Sequence, residues 1–279
     1  MHPPIITLEQ KDDFIRRHIG PSPEHIAEML RVVGAKNLDD LTSKTIPASI
    51  LEKTTPAVGD PVSETDALQK LSAMADKNKI YRSLIGMGYH DTVTPHVILR
   101  NVLENPGWYT AYTPYQPEIS QGRLEALINF QQMVMDLTGM PLANASLLDE
   151  ATAAAEAMTL ARRSSASASP VFLVSRDCHP QTIAVVETRA APLGITVITG
   201  TPEQMIEKDG FGLLLQYPTT TGDIHDYAEI VKKAHDKKMT VCVAADLLSL
   251  TLLSPPGEWD ADIVFGSAQR FGVPLGFGG

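Results

Sequence analysis

The fold is indicated most clearly by Val241-Cys242-Val243-Ala244-Ala245-Asp246, a short apolar run that ends in a carboxylate. Short apolar runs rich in β-branched residues are typical of strands buried on both faces of a sheet. Four similar runs occur at residues 171–174, 195–199, 213–216 and 263–265. Helical stretches separate the first four of these five runs, most clearly at residues 226–237. This order predicts right-handed βαβ units and a mostly parallel sheet with helices on both faces.

The first 80 residues have a different pattern, and we expect them to form a helical arm. Ser22-Pro23 combines an N-cap with a first-turn proline, and Gly34 ends the apolar stripe that follows. Ser63 with Asp66 marks the start of a second helix. We therefore expect two parts, an arm over residues 1–80 and an α/β domain over residues 81–279.

A Tyr- and Pro-rich segment at residues 86–121 lies between the arm and the sheet, and we expect it to be a loop. Its centre is Tyr112-Thr113-Pro114-Tyr115-Gln116. Long loops of this composition are usually functional or disordered. Aromatic hydroxyls beside an amide suit the wall of a small-molecule pocket or an interface anchor, and packing over its own domain is the alternative.

Composition excludes several classes of function. The formal net charge of −10 argues against nucleic acid or an anionic membrane surface as the main partner, because both are negatively charged. The apolar runs are too short to span a membrane. Cys178 and Cys242 lie in separate apolar contexts without metal-binding spacing, so we expect a reducing, cytoplasmic compartment. The glycine-rich end, Gly276-Phe277-Gly278-Gly279, is an unusual place for a domain to stop, and we expect a longer polypeptide.

Several specific blocks of sequence follow one another along almost the whole chain. They are Arg17-His18-Ile19-Gly20, Ser83-Leu84-Ile85-Gly86-Met87-Gly88-Tyr89-His90, Tyr112-Thr113-Pro114-Tyr115-Gln116-Pro117-Glu118, Asn144-Ala145-Ser146, Ala151-Thr152-Ala153-Ala154-Ala155-Glu156-Ala157 and Gly266-Ser267-Ala268-Gln269-Arg270-Phe271-Gly272. In this order they resemble the N-terminal half of the glycine decarboxylase P-protein family, or the separate subunit that replaces it in some bacteria. The resemblance implies an α/β fold, the truncated large domain of a fold type I pyridoxal-phosphate (PLP) transferase like aspartate aminotransferase.

The resemblance also implies a reaction and partners. In the complete enzyme a lysine of the other half would hold the PLP aldehyde as a Schiff base, and glycine would take the place of that lysine. Glycine would then lose its carboxylate as carbon dioxide, and the aminomethyl group would pass to the oxidised lipoyl disulfide of the H-protein. The present chain would then add part of the substrate channel, with Tyr112, Tyr115 and Gln116 as candidates. The alternative is a non-catalytic scaffold or assembly subunit of the same complex.

The lysine that this chemistry needs is absent from the expected place. The twelve lysines lie at residues 11–79 and 208–238, and none follows Asp246. By resemblance, the Schiff-base lysine follows the ring-nitrogen aspartate by one strand and a loop, and Arg270 occupies that neighbourhood. A guanidinium stays protonated and does not form Schiff bases, so we expect no catalytic residue and no bound PLP in this chain alone. The alternatives for Arg270 are a salt bridge, a helix cap or a contact with the other half.

Two residues stand where other PLP contacts would lie in this fold. Asp246 could be the ring-nitrogen partner or a carboxylate that caps nearby amides. His179 could stack on the ring or simply begin a helix with Pro180. Asp149 and Glu150 open an Ala-rich helix, where we expect them to occupy the position of a phosphate and to repel it.

Overall fold

The computed structural model describes residues 17–18, 20–54, 56–109 and 116–273. Contacts divide the chain into two units, Met1–Tyr81 and Arg82–Gly279. The first unit contains α1 (Pro23–Val33), α2 (Leu38–Thr45) and α3 (Glu64–Ala75). The side chains of Ser22 and Ser63 cap α1 and α3, as the sequence predicts, whereas the short α2 was not predicted.

The second unit begins with helices that the sequence did not predict. They are α4 (His96–Ile98), which continues as a π-helix over Leu99–Leu103, and α5 (Pro106–Tyr109). The expectation of a loop throughout residues 86–121 is therefore wrong for residues 96–109. Pro95 and Pro106 stand at helix starts, where proline is tolerated, so these prolines do not mark a loop. The long helix α6 (Gln121–Thr138) follows, and Gly139 ends it in the left-handed region at φ 71°.

The predicted sheet is present and all of its strands are parallel. Its strands are β1 (Val171–Ser175), β2 (Thr196–Gly200), β3 (Gly212–Tyr217), β4 (Thr240–Ala245) and β5 (Ile263–Phe265). They are arranged in the order β2-β1-β3-β4-β5. The five predicted runs differ from the observed strands by no more than one residue at either end.

Helices cover both faces of this sheet, as predicted. On one face α7 (Glu150–Ser164) and α8 (Pro180–Ala190) share a buried cluster with Leu214 and Cys242. On the other face α9 (Pro202–Ile206) and α10 (Ala228–Asp236) pack with the alternate residues Leu213 and Val241. Since successive side chains of a strand point to opposite faces, near-continuous apolar strands supply both clusters.

The order of the strands fixes where a cleft can form. The chain moves outward from β1 to β2 and then returns to place β3 on the other side of β1. In open α/β sheets such a reversal leaves a crevice outside the carboxyl ends of the two strands, where ligands usually bind. Short 3₁₀ helices complete the unit at Ala191–Leu193, Ser249–Thr251, Pro256–Trp259 and Ala268–Phe271. Among the described residues, no helix combines the length and apolar character needed to cross a membrane.

A close backbone contact between Gly257 and Gly139 gives a test of this packing. A Cβ atom at Gly257 would lie 2.2 Å from the carbonyl oxygen of Gly139. Gly257→Ala therefore forces backbone atoms apart, and we expect it to lower the free energy of unfolding by about 1–3 kcal/mol in urea titrations.

Gly122→Ala is the matched control, because a Cβ there meets no atom within 4 Å and the residue lies in α6. Alanine in a helix is favoured over glycine by about 0.5–1 kcal/mol, so this variant should be slightly stabilised. Equal unfolding midpoints for Gly257→Ala and the unmodified chain would contradict the close contact.

Candidate functional site

Five polar side chains meet at the crevice where the strand order reverses, and we call this place the switch-point cleft. It is formed by Glu150, His179, Gln216, Asp246 and Arg270. His179 follows β1, Gln216 is near the end of β3 and Asp246 follows β4 directly, so parallel pairing brings all three to one edge. Glu150 is the first residue of α7, and Arg270 belongs to the 3₁₀ helix after β5.

Asp246 is fully engaged by groups of this chain. The Nε atom of Arg270 lies 3.2 Å from Oδ1 of Asp246 and 3.1 Å from Oδ2. The backbone N–H of Leu248 also donates to Oδ1, at 2.9 Å. Asp246 therefore acts as a carboxylate that caps a nearby amide, and Arg270 forms a salt bridge. Neither of these interpretations requires a cofactor.

His179 is held between two loops. Its Nδ1 atom lies 2.9 Å from Oγ1 of Thr220, and its Nε2 atom lies 3.9 Å from Oε1 of Glu150. A Cβ atom on Gly88 would come within 2.8 Å of the imidazole ring, so only glycine fits against it. Burial lowers the pKa of His179, electrostatic interaction with His90 acts in the same direction, and the charge of Asp246 opposes both. The imidazole is therefore the uncharged form at neutral pH.

The loop that carries Gly88 is fastened to the segment after β5. The side-chain amide of Gln269 donates a hydrogen bond to the carbonyl oxygen of Gly88. The hydroxyl of Thr94 donates to the carbonyl of Gly272 at 2.7 Å, and that of Thr92 donates to Val273 at 3.2 Å. Residues 88–94 thus form one wall of the switch-point cleft.

Glu150 is the most perturbed carboxyl group in the cleft. Burial raises its pKa from 4.5 to about 7, and the negative charges of Asp246 and Asp149 act in the same direction. The polar side chain of Gln216 opposes this effect. The pKa of Tyr89 is also raised, first by burial and then by the charges of Asp149 and Glu150.

Asp149 uses its side chain to cap α7. Its Oδ1 atom accepts a hydrogen bond from the backbone N–H of Thr152 at 2.7 Å, while the Thr152 hydroxyl accepts from the N–H of Asp149 at 3.3 Å. This reciprocal capping box satisfies N–H groups that would otherwise be available to an anion. The helix start is therefore occupied by its own residues.

These contacts do not fit PLP in this chain. No lysine follows Asp246, and the position expected for it by resemblance holds Arg270, which is paired with that aspartate. The start of α7, where a phosphate would be bound, is capped by Asp149 and crowded by the partly buried Glu150. Because the pKa of Glu150 is raised to about 7, this carboxyl group is only partly ionised at neutral pH and repels a phosphate less than a full charge would. Its side chain still occupies the space at the start of α7.

The three candidates for the substrate channel are only partly within the described residues. Tyr112 and Tyr115 lie outside the described residues, and Gln116 is exposed in a turn. The sequence did not indicate the roles of Gln216, Thr220 and Gln269. Thr220 contacts the ring of His179, Gln269 bonds Gly88, and Gln216 is buried at the end of β3. Only Gln216 gave a signal, as a polar residue at the end of the apolar run 213–215.

Comparison with known proteins assigns the chain to a family. The family described as "Glycine cleavage system P-protein" matches residues 16–279. The chain belongs to the P-protein family. Glycine dehydrogenase (decarboxylating) of Stenotrophomonas maltophilia strain R551-3 is 57% identical over 99% of the chain, and that of Cereibacter sphaeroides strain KD131 is 59% identical over 95%. The chain spans only 29% and 28% of the lengths of these relatives.

Solved structures agree with the predicted fold class. A crystal structure of glycine decarboxylase (P-protein) in inhibitor-bound form matches with a TM-score of 0.82 and 35% identity, covering 93% of this chain and 60% of that one. A sphingosine-1-phosphate lyase of Burkholderia pseudomallei matches with a TM-score of 0.57 and 13% identity over 80% of this chain and 58% of that one, a likeness of fold alone. The fold is that of fold type I PLP-dependent enzymes.

The first prediction from the switch-point cleft concerns PLP. We expect the chain to bind PLP no better than a surface lysine does, because Arg270 cannot form the imine and α7 is already capped. Arg270→Lys alone should not restore binding, since Glu150 and the Asp149 cap remain. Absorption spectroscopy after dialysis checks this, and a stoichiometric, dialysis-resistant imine band in either protein would contradict it.

The second prediction concerns the pH dependence of stability. Because the pKa of Glu150 rises from 4.5 to about 7 on folding, its contribution is fully present below pH 4.5 and is lost as pH rises through 7. The free energy of unfolding that Glu150 contributes therefore differs by on the order of 3 kcal/mol between pH 4.5 and high pH. Glu150→Gln should therefore raise the free energy of unfolding above pH 8, and should not raise it at pH 4.5.

Glu203→Gln is the matched control for this measurement. Glu203 is also in the first turn of a helix, but it is largely exposed, and hydrogen bonds from backbone N–H and from Thr201 lower its pKa. Its replacement should not stabilise the protein above pH 8. Parallel pH profiles for Glu150→Gln and the unmodified protein would show that Glu150 ionises normally.

Proposed function

We propose that this chain is the N-terminal part of glycine dehydrogenase (decarboxylating) and that it works with a lysine-bearing part. The proposal rests on the family match and on the switch-point cleft, where the side chains of Asp149, Asp246 and Arg270 occupy the positions that PLP would need. Sequence identities of 57–59% to glycine dehydrogenases support the activity of the complete protein. The Asp246–Arg270 pair supports the absence of the cofactor from this part.

In this proposal the complete enzyme binds glycine and PLP in the lysine-bearing part, where PLP supplies the electron sink for loss of the carboxylate. The lipoylated H-protein accepts the aminomethyl group. The present chain supplies a domain that has the same fold as the lysine-bearing part. Through Tyr112, Tyr115 and Gln116 it also lines part of the route by which substrate reaches that part. We place the enzyme in the cytoplasm, because its two cysteines are buried free thiols.

A second candidate is a scaffold that serves only folding and assembly. Several large apolar side chains favour it, because they are exposed and would need cover in a complete protein. In the second unit they include Leu84 at 87%, Val93 at 89% and Leu142 at 81% exposure. In the arm that we assign to residues 1–80, Leu68 and Leu71 are 68% and 62% exposed. Exposed apolar surface of this kind usually marks an interface.

Kinetics of the complete enzyme separate the two candidates. If Tyr112 and Tyr115 line the substrate route, Tyr115→Phe should lower kcat/KM for glycine decarboxylation while PLP content stays constant. Loss of one hydroxyl that bonds a charged or polar group costs about 1.5–3 kcal/mol, which is roughly 10- to 150-fold in rate. Melting curves of the same proteins check that stability is unchanged.

Tyr81→Phe is the control, because this tyrosine is 78% exposed and lies outside the Tyr- and Pro-rich segment. It should leave kcat/KM unaltered. If Tyr112→Phe and Tyr115→Phe both turn over glycine at the unmodified rate, the scaffold function is favoured and the channel function is wrong.

A further inference from the structure

The long helix α6 begins at a serine that does not cap it. Ser120 stands at the N-cap, but its side chain makes no hydrogen bond to the helix. Ser22 and Ser63, which cap α1 and α3, have extended backbones at ψ 165° and 159°, whereas ψ of Ser120 is 19°. A serine hydroxyl reaches the N–H groups of the first turn from the extended conformation, so the backbone of Ser120 explains the missing cap.

Ser120 is nevertheless a buried residue. It is only 6% exposed, and its hydroxyl has no hydrogen-bond partner within the described residues. Buried polar side chains almost always have a partner, because a buried donor or acceptor without one is destabilising. A buried hydroxyl at a helix start therefore lacks an atom that would complete its hydrogen bonds.

The backbone N–H groups of the first turn of α6 lack acceptors as well. The first helical hydrogen bond joins the N–H of Leu124 to the carbonyl oxygen of Ser120 at 2.9 Å. The N–H groups of Gln121, Gly122 and Arg123 have no acceptor in the part of the chain that the structure describes. A Cβ atom on Gly122 would meet no atom within 4 Å, so the space beside these groups is open. Such N–H groups, at the positive end of a helix dipole, attract anions.

A cation stands at the same helix start. Arg123 is in the first turn, which contains no acidic residue, and helical side chains tilt towards the N-terminus of their helix. The Nη2 atom of Arg123 donates to the carbonyl oxygen of Trp108 at 2.6 Å, and the guanidinium carbon lies 5.4 Å from the centre of the Trp108 ring. These two contacts fix the position of the guanidinium group.

The contacts with Trp108 use only part of the guanidinium group of Arg123. A guanidinium has five N–H donors, and among the described residues the buried Nε atom has no acceptor. A positive charge in the first turn also opposes the dipole of α6, which favours anions there. An anion at the start of α6 would remove this conflict and accept the remaining hydrogen bonds.

We propose that the start of α6 binds a small oxyanion, which is a carboxylate or a phosphate group. The ligand accepts hydrogen bonds from the first-turn N–H groups, from the hydroxyl of Ser120 and from the guanidinium of Arg123. The planar donors of an arginine match the oxygen atoms of both kinds of anion. The site consists of residues outside the five that form the switch-point cleft, and the proposal does not depend on the proposed function.

Calorimetric titration of the complete polypeptide with inorganic phosphate and, separately, with acetate tests the site. The protein is saturated with PLP beforehand, so that free phosphate does not enter a cofactor site, and the ionic strength is held constant. We expect saturable binding of at least one of the two anions. Arg123→Gln removes charge-assisted hydrogen bonds and should weaken this binding about 10- to 150-fold, and Ser120→Ala should weaken it about 2- to 12-fold.

Gln121→Glu separates anion binding from folding. A carboxylate in the first turn complements the helix dipole, so the melting temperature should be unchanged or higher, while the anion site is repelled or occupied and binding is lost. Arg163→Gln is the matched control, because Arg163 is an exposed arginine in the last turn of α7. Its replacement should leave the affinity for both anions unchanged.

The two anions also identify the chemistry of the ligand. Weakening of phosphate binding alone in Arg123→Gln indicates a phosphate group, and weakening of acetate binding indicates a carboxylate. Failure of both anions to bind the unmodified protein would overturn the proposal. Equal affinities for the unmodified protein, Arg123→Gln and Gln121→Glu would overturn it as well, because the anions would then bind elsewhere.

Discussion

A guanidinium group keeps its proton at any physiological pH, and this constraint determines what the switch-point cleft can do. Because Arg270 is permanently positive, it pairs with Asp246 at 3.1 Å and cannot form an imine. The ion pair joins the end of β4 to the 3₁₀ helix after β5, and neighbouring Gln269 and Gly272 hold the loop wall. The position that the resemblance assigns to the Schiff-base lysine is therefore a structural contact in this chain.

The rest of the cleft adjusts to an excess of negative charge. Asp149 accepts a hydrogen bond from the backbone N–H of Thr152, and Asp246 pairs with Arg270. Glu150 has neither kind of partner, and its pKa rises to about 7 instead. Burying an unpaired charge is more costly than keeping a proton, so protonation is the response that physical chemistry expects.

The sequence predicted the sheet well and the cleft only in part. Buried parallel strands are near-continuous apolar runs, so all five could be located from residue type alone. The helices at residues 96–109 were missed because prolines at their starts look like loop signals. The meeting of Asp246 with Arg270 follows from chain order along neighbouring strands. The position of Glu150 near Gln216 depends on how α7 packs on the sheet. No local sequence pattern indicates that packing.

The location of PLP in the complete enzyme tests the central claim most directly. Reduction of the holoenzyme with borohydride fixes the cofactor to its lysine, and mass spectrometry of the peptides then identifies that lysine. Our account predicts a stoichiometric pyridoxyl group on a lysine outside these 279 residues and none on the twelve lysines within them. A stoichiometric pyridoxyl group on any lysine between residues 11 and 238 would contradict it.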